Sequence, residues 1–234
     1  MIEKRPFSSL GQFDSDWLKA RYHFSFSGYR DPARMNWGAL RVWNDDTIQP
    51  KTGFPPHPHS DMEIITYVRT GAITHEDSMG NRGRTEAGDV QVMSAGSGVM
   101  HAEFNLEDEA TTLYQIWIMP KERGGRPYWG AAKFPKGDRA GTLATLASGF
   151  AADQDGGALP IRQDARILAA TLEPGQSVSY APDPGRHLYL AVAKGEADVN
   201  GTALGARDGA AITGETALRI EARASAEIVL VDSP

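Results

Sequence analysis

Apolar positions along this chain come in short runs rather than helical stripes. Glu63 to Val68, Asp89 to Ser94, Thr111 to Met119, Arg166 to Leu172, His187 to Val192 and Glu227 to Val231 are rich in β-branched, aromatic and aliphatic residues. Gly, Pro, Asn and Asp punctuate them, which is how strands read. Helical patterning is scarce, so the sequence predicts an all-β protein of sandwich or barrel type. Met79 to Arg84, rich in Gly and Asn, predicts a hairpin turn. Ala95-Gly96-Ser97-Gly98 predicts a second one, delivering the strand that carries His101 and Glu103.

The pattern also repeats. Thr66 to Thr74 (TYVRTGAIT) is echoed by Leu190 to Asp198 (LAVAKGEAD), and the Gly88 turn before Val90 to Met93 is echoed by Gly209 before Ala210 to Thr213. Two copies of one β unit follow, with Lys121 to Gly157, rich in Gly, Pro, Lys, Asp and Ala, as the connector. The expected boundary lies near residue 130, giving units 1–130 and 131–234. Aligning Gly71 on Gly195 sets His57 and His59 against Ala181 and Asp183, and His187 against Glu63. Nothing after Gly209 matches His101-Ala102-Glu103, so the second unit is expected to be metal-free and His187 structural.

Composition narrows the function. The 234 residues suffice for one or two domains with a proper core, and 41% hydrophobic with 23% charged residues describes a globular chain. A net charge of -6 argues against direct binding of nucleic acid. No apolar run approaches a membrane span, and Met1 to Leu10 lacks the apolar stretch of a secretory signal, so the expected location is cytoplasmic. With no Cys there is no disulfide, zinc ribbon or thiol nucleophile, and any redox sensing must run through a metal.

The candidate chemistry lies in two pairs, His57 and His59 in Pro55-Pro56-His57-Pro58-His59, and His101 and Glu103 in Met100-His101-Ala102-Glu103. Alternate residues of a strand share a face, so each pair can aim two donors at one point. Read alone, His57 and His59 could equally be surface loop residues. Taken together, three imidazoles and a carboxylate suit iron, nickel or zinc rather than calcium or magnesium. The stretch between the pairs is expected to hold two or three strands of a meander. His75, Glu76 and Asp77 read as turn-stabilising or solvated, and Asn44-Asp45-Asp46 as turn residues. Trp37, Trp43, Trp117 and Trp129 read as packing residues.

Gly53 to Glu63, Gly71, Gly88-Asp89 and His101 resemble the two metal motifs of cupins. The closer resemblance is to pirins, the bicupin proteins. It is carried by Leu40 to Asp46, His57-Pro58-His59, His75 to Asn81, Met93 to Gly98 and Leu113 to Pro120. It implies two tandem jelly-roll cupin barrels, the second degenerate. It further implies that His57, His59, His101 and Glu103 bind one divalent transition metal. Fe(II) is expected, and Zn, Ni, Mn or Cu would be accepted by the same donors. Many cupins take the carboxylate from the first motif, where this chain has Glu63. Glu63 is expected to be a spare ligand, to orient an imidazole N–H, or simply to pair with an Arg or a backbone amide.

Bacterial pirins carry the description quercetin 2,3-dioxygenase, so the resemblance implies an oxygenase that takes a flavonol and dioxygen. Glu103 would then serve both as ligand and as general base on the flavonol hydroxyl. A second reading is a metal-dependent regulatory protein, sensitive to the iron oxidation state, that binds a protein partner. A zinc isomerase or hydrolase ranks third. A monomer is expected.

Overall fold

Val, Ile, Thr and aromatic residues fill the runs that pair into sheets, as their side chains suit a pleated, buried surface. The computed structural model describes residues 1–134 and 136–234, and antiparallel strands dominate it. Glu63–Thr70, Thr111–Ile118, Arg166–Leu172 and His187–Lys194 lie where the pattern put them. Among the described residues no helix is long and apolar enough to cross a membrane.

Contacts group the chain into two units. Gly11–Phe134 and Leu159–Gln163 form one; Met1–Leu10, residues 136–158 and Asp164–Pro234 form the other. In the stretch around residue 130 the change of unit comes after Phe134. The first residues belong elsewhere, however, because Ile2–Arg5 pairs with Gly209–Thr213 as a strand of the second unit.

In the first unit a seven-stranded sheet runs Tyr128–Ala132, Val90–Ser94, Glu63–Thr70, Thr111–Ile118, Leu40–Ile48, Leu18–Tyr22 and Gly11–Asp14. A four-stranded sheet runs Thr52–His59, Val99–Asn105, Ala72–Asp77 and Arg82–Glu86. Leu18, Ala20, Ile48, Val68 and Leu113 of the larger sheet pack with Ile73 of the smaller one. The chain passes back and forth between the two sheets, so this is a jelly roll and not a meander. Ala95 to Gly98 accordingly is not a hairpin turn; it leads from Val90–Ser94 in one sheet to Val99–Asn105 in the other. The turn before Arg82–Glu86 does close a hairpin, with Ala72–Asp77.

The second unit repeats the plan. Ile2–Arg5, Gly209–Thr213, His187–Lys194, Ala226–Ser233, Arg166–Leu172 and Ala144–Ser148 lie side by side in one sheet. Ser177–Tyr180, Leu218–Ala222, Ala197–Val199 and Thr202–Leu204 form the other. Gly71 and Gly195 end equivalent strands with φ of 75° and 76°. The later turn slips by two residues: the Gly88 amide donates to the Val68 carbonyl, as the Arg207 amide does to that of Val192. Arg207, with φ of 69°, is therefore the counterpart of Gly88, rather than Gly209.

One difference between the units matters for function. Register sets Gln91, Thr66, Gln115 and Asn44 in one row across the first unit's larger sheet. The corresponding row in the second unit is Ala210, Leu190, Leu230 and Leu168, all in its aliphatic core. Two barrels of one topology thus carry a polar and an apolar lining.

Gly195 tests the turn chemistry of the repeat. A Cβ there would sit 2.0 Å from the Ser225 carbonyl oxygen, whereas at Gly185, φ 82°, it meets nothing within 4 Å. Gly195→Ala should destabilise the protein by about 2–4 kcal/mol in urea unfolding, and Gly185→Ala by only about 1 kcal/mol, the left-handed backbone cost alone.

Candidate metal centre

The Thr52–His59 strand lies at the edge of the smaller sheet, the one place where Pro55, Pro56 and Pro58 can sit without breaking a ladder. Its inner neighbour is Val99–Asn105. Register sets His57 opposite His101 and His59 opposite Val99, and a bulge between His101 and Glu103 shifts Glu103 opposite Phe54. His57, His59 and His101 bring ligand atoms within 4.8 Å of one another. Glu103 falls into a second group of the same closeness, with His101 and His75. The four expected ligands thus share one neighbourhood through His101 rather than one tight cluster.

The network assigns the tautomers. His57 Nδ1 donates to the Pro55 carbonyl at 2.8 Å, leaving Nε2 as a lone pair. The Asp77 carboxylate also accepts from the amides of Met79 and Asn81 and from the Asn81 side chain, all of which hold it ionised. It takes the Nε2–H of His75 at 3.1 Å, so His75 Nδ1 is an acceptor. That atom lies 3.4 Å from His101 Nδ1, which must be the donor. His101 Nε2 is then a lone pair, buried and without a hydrogen-bond partner among the described residues. A neutral imidazole whose other nitrogen is held in this way suits a metal.

Burial lowers the imidazoles, His59 to about 4 and His101 to about 2, with the neighbouring histidines adding to the effect. Both are neutral at pH 7. Glu103, 2% exposed, is pushed up by burial to about 7 although three side chains donate to it. Gln91 Nε2 donates to Oε1 at 2.5 Å, Thr66 Oγ1 to the same oxygen at 3.2 Å, and Gln115 Nε2 to Oε2. Trp117 Nε1 donates to Gln115 Oε1 and Thr85 Oγ1 to Gln91 Oε1, so each amide is turned with its NH2 toward the carboxylate. Three imidazoles, His59 and His101 among them held neutral, and an acidic group with no cation in contact among the described residues are what a divalent metal would complete, and the donor set fits one.

A cavity of about 180 Å³ opens on this cluster. His57, His59, His101, Glu103 and Gln115 line it, with Leu18, Ala20, Tyr22, Phe26, Phe54 and Trp117 supplying the apolar walls and Asn44 and Asp46 the remaining polar ones. Trp117 meets His59 edge to face at 4.9 Å and Phe26 at 5.3 Å.

Sequence and structure agree further along the whole chain. A family model described as Pirin matches residues 3–118, and one described as Quercetinase C-terminal cupin domain matches residues 146–233. A pirin-like protein of Caulobacter vibrioides is 63% identical over the full length of both chains. The chain belongs to the pirin family. This pirin is also 40% identical to a quercetin 2,3-dioxygenase of Escherichia coli K12, over 100% of this chain and 99% of that one. The crystal structure of the bacterial pirin YhhW from Escherichia coli in complex with nickel(II) superposes with a TM-score of 0.93 at 37% identity, covering 100% of this chain and 99% of that one.

Several residues of this pirin sit otherwise than their sequence context implies. Among the described residues Glu63 hydrogen-bonds no imidazole; it accepts from Ser94 Oγ at 2.5 Å and the Arg162 amide at 3.1 Å, the plainer of its expected roles. His75 is neither solvated nor a turn residue. It is fully buried and stacks on Trp129 at 5.0 Å and 9°, in a space that exists because the facing residue is Gly83. Asn44-Asp45-Asp46 is mid-strand, not a turn, with Asp45 paired to Arg69 at 2.8 Å and its two neighbours in the cavity wall. Gln91, Gln115 and Thr66 belong to no ligand motif; the one signal in the sequence is that each is flanked on both sides by apolar or aromatic residues.

The titrations give a pH dependence. In the metal-free protein His59 and His101 stay neutral when folded but take up protons below about 6.5 when unfolded, so their contribution to stability is lost as pH falls toward 4. Glu103 works the other way: its raised value gives stability that is full below about 4.5 and lost as pH rises through about 7. Two imidazoles outweigh one carboxyl, so urea midpoints should fall between pH 6.5 and pH 4.5. Glu103→Gln should steepen that fall, by up to ~1.4 kcal/mol per pH unit.

Proposed function

We propose that this pirin is an iron-dependent oxygenase that opens the central ring of a flavonol such as quercetin with dioxygen. The observation that carries the reading is the convergence of three imidazoles and the buried Glu103 on one wall of an aromatic cavity. His57, His59, His101 and Glu103 would hold the metal, with His75 behind His101. A divalent transition metal held there supplies Lewis acidity toward a substrate hydroxyl and, as iron, redox chemistry with dioxygen.

The chain's own part is positioning and proton transfer. Glu103 takes the proton of the flavonol hydroxyl on a carboxylate oxygen, acting as general base. Gln91, Thr66 and Gln115 hold that carboxylate still and stabilise the charge it carries before the transfer. Phe26, Phe54 and Trp117 flank the flat ring and exclude water. The cavity, about 180 Å³, is smaller than the roughly 300–1,000 Å³ of pockets that engulf a drug-sized ligand. It takes the reacting ring and leaves the rest in the half-buried mouth between Phe54 and Trp117.

That small volume also favours a second reading, a regulatory protein whose surface changes with the iron oxidation state and which binds a protein partner. Iron-loaded protein should bleach quercetin absorbance with matching dioxygen uptake, and zinc-loaded protein should not. Glu103→Gln should slow the reaction at least ~100-fold per bound iron. An unchanged spectrum with fully iron-loaded protein removes the oxygenase reading; partner affinity that differs between ferrous and ferric forms would then carry the second.

A further inference from the structure

The cavity wall opposite the histidines holds polar groups for which the metal centre has no use. Asn44 and Asp46 alternate along Leu40–Ile48, so both face the cavity, and they are 5% and 2% exposed. Asn44 Oδ1 and Asp46 Oδ1 are buried and have no hydrogen-bond partner among the described residues. Unpartnered polar groups in such surroundings cost stability, which calls for a reason.

The fold does not supply one. By register, Asn44 corresponds to Leu168 of the second unit and Asp46 to Ala170, both in an aliphatic core. A barrel of this topology therefore closes with apolar residues at these positions. Arg69, whose charge acts on Asp46 from a distance, is paired with Asp45 at 2.8 Å, and Asp46 has no ion pair of its own among the described residues. Burial first, then the charges of Asp45 and Glu103, raise the Asp46 carboxyl well above the usual carboxylate range against the opposing charge of Arg69, which favours the protonated form that can donate. Tyr22, opposite Asn44 on the next strand, is likewise kept protonated, at about 12, by burial and by Asp46.

We infer that Asn44 and Asp46 form a substrate-recognition subsite across the cavity from the metal ligands, built for a flat ring that carries both a carbonyl and a hydroxyl. Asp46 donates its O–H to the carbonyl oxygen, and Asn44 Oδ1 accepts from a ring hydroxyl other than the one that loses its proton to Glu103. This rests on the oxygenase reading for the ligand's identity; the two fail separately in the following test.

Zinc-loaded protein, in which no turnover occurs, is titrated with quercetin and with flavone, which keeps the carbonyl but lacks the hydroxyls, and binding is read from tryptophan fluorescence. Asp46→Leu should weaken quercetin binding at least ~10-fold, Asp46→Asn, which keeps a donor, no more than ~3-fold, and Asn44→Leu should weaken quercetin but not flavone. Bound zinc per chain should match wild type throughout. The melting temperature of ligand-free Asp46→Leu should rise by about 2–6 °C, because Val68, Leu113 and Ala20 surround that position in the row. Unchanged quercetin affinity in Asp46→Leu, no quercetin binding by wild type, or melting temperatures lowered in both Asp46 variants would overturn the subsite. Binding that behaves as expected, combined with no turnover by the iron form, would remove the oxygenase reading and leave the subsite standing.

Discussion

The pairing of the Thr52–His59 edge strand with Val99–Asn105 is the constraint on which the rest depends. His57 stands opposite His101 only in that register. A slip by one residue would turn every side chain of the edge strand to the other face and dismantle the donor cluster. Three prolines make the edge strand poor at ladder bonding on its solvent side, which also closes it to further strands. The bulge after His101 then aims Glu103 toward the larger sheet, where Gln91, Thr66 and Gln115 await it.

Electrostatics follow from this geometry. Burial, with the neighbouring histidines adding to it, keeps His59 and His101 neutral, and neutral imidazoles are metal ligands at pH 7. The chain from Asp77 through His75 to His101 works by excluding alternatives: each hydrogen bond leaves the next nitrogen only one role, and the last lone pair points at the cluster. Glu103 is the counterpart, a carboxylate surrounded by amide and hydroxyl donors yet raised by burial, so that ionising it and binding a cation favour each other.

The two units give an internal comparison of what the fold needs and what the site adds. Leu190, Leu230, Leu168 and Ala210 fill one barrel by hydrophobic packing; Thr66, Gln115, Asn44 and Gln91 occupy the same places in the other. Such polar substitutions in a core are destabilising unless satisfied, and Thr66, Gln115 and Gln91 are satisfied by Glu103. Asn44 and Asp46 are not, which is why they stand out once the barrels are compared.

Strand runs, the repeat centred on Gly71 and Gly195, and the His57, His59, His101 and Glu103 pairs were legible because each rests on short-range facts: alternation, turn residues and ligand type. From the chain's own pattern follow an all-β protein of two like units and the candidate metal-ligand residues His57, His59, His101 and Glu103 in the first. The tertiary structure decided what those residues face. Glu63 turned to a backbone amide, His75 to His101, and Asn44 and Asp46 to the cavity, because partners in antiparallel sheets come from distant strands whose register no local pattern encodes.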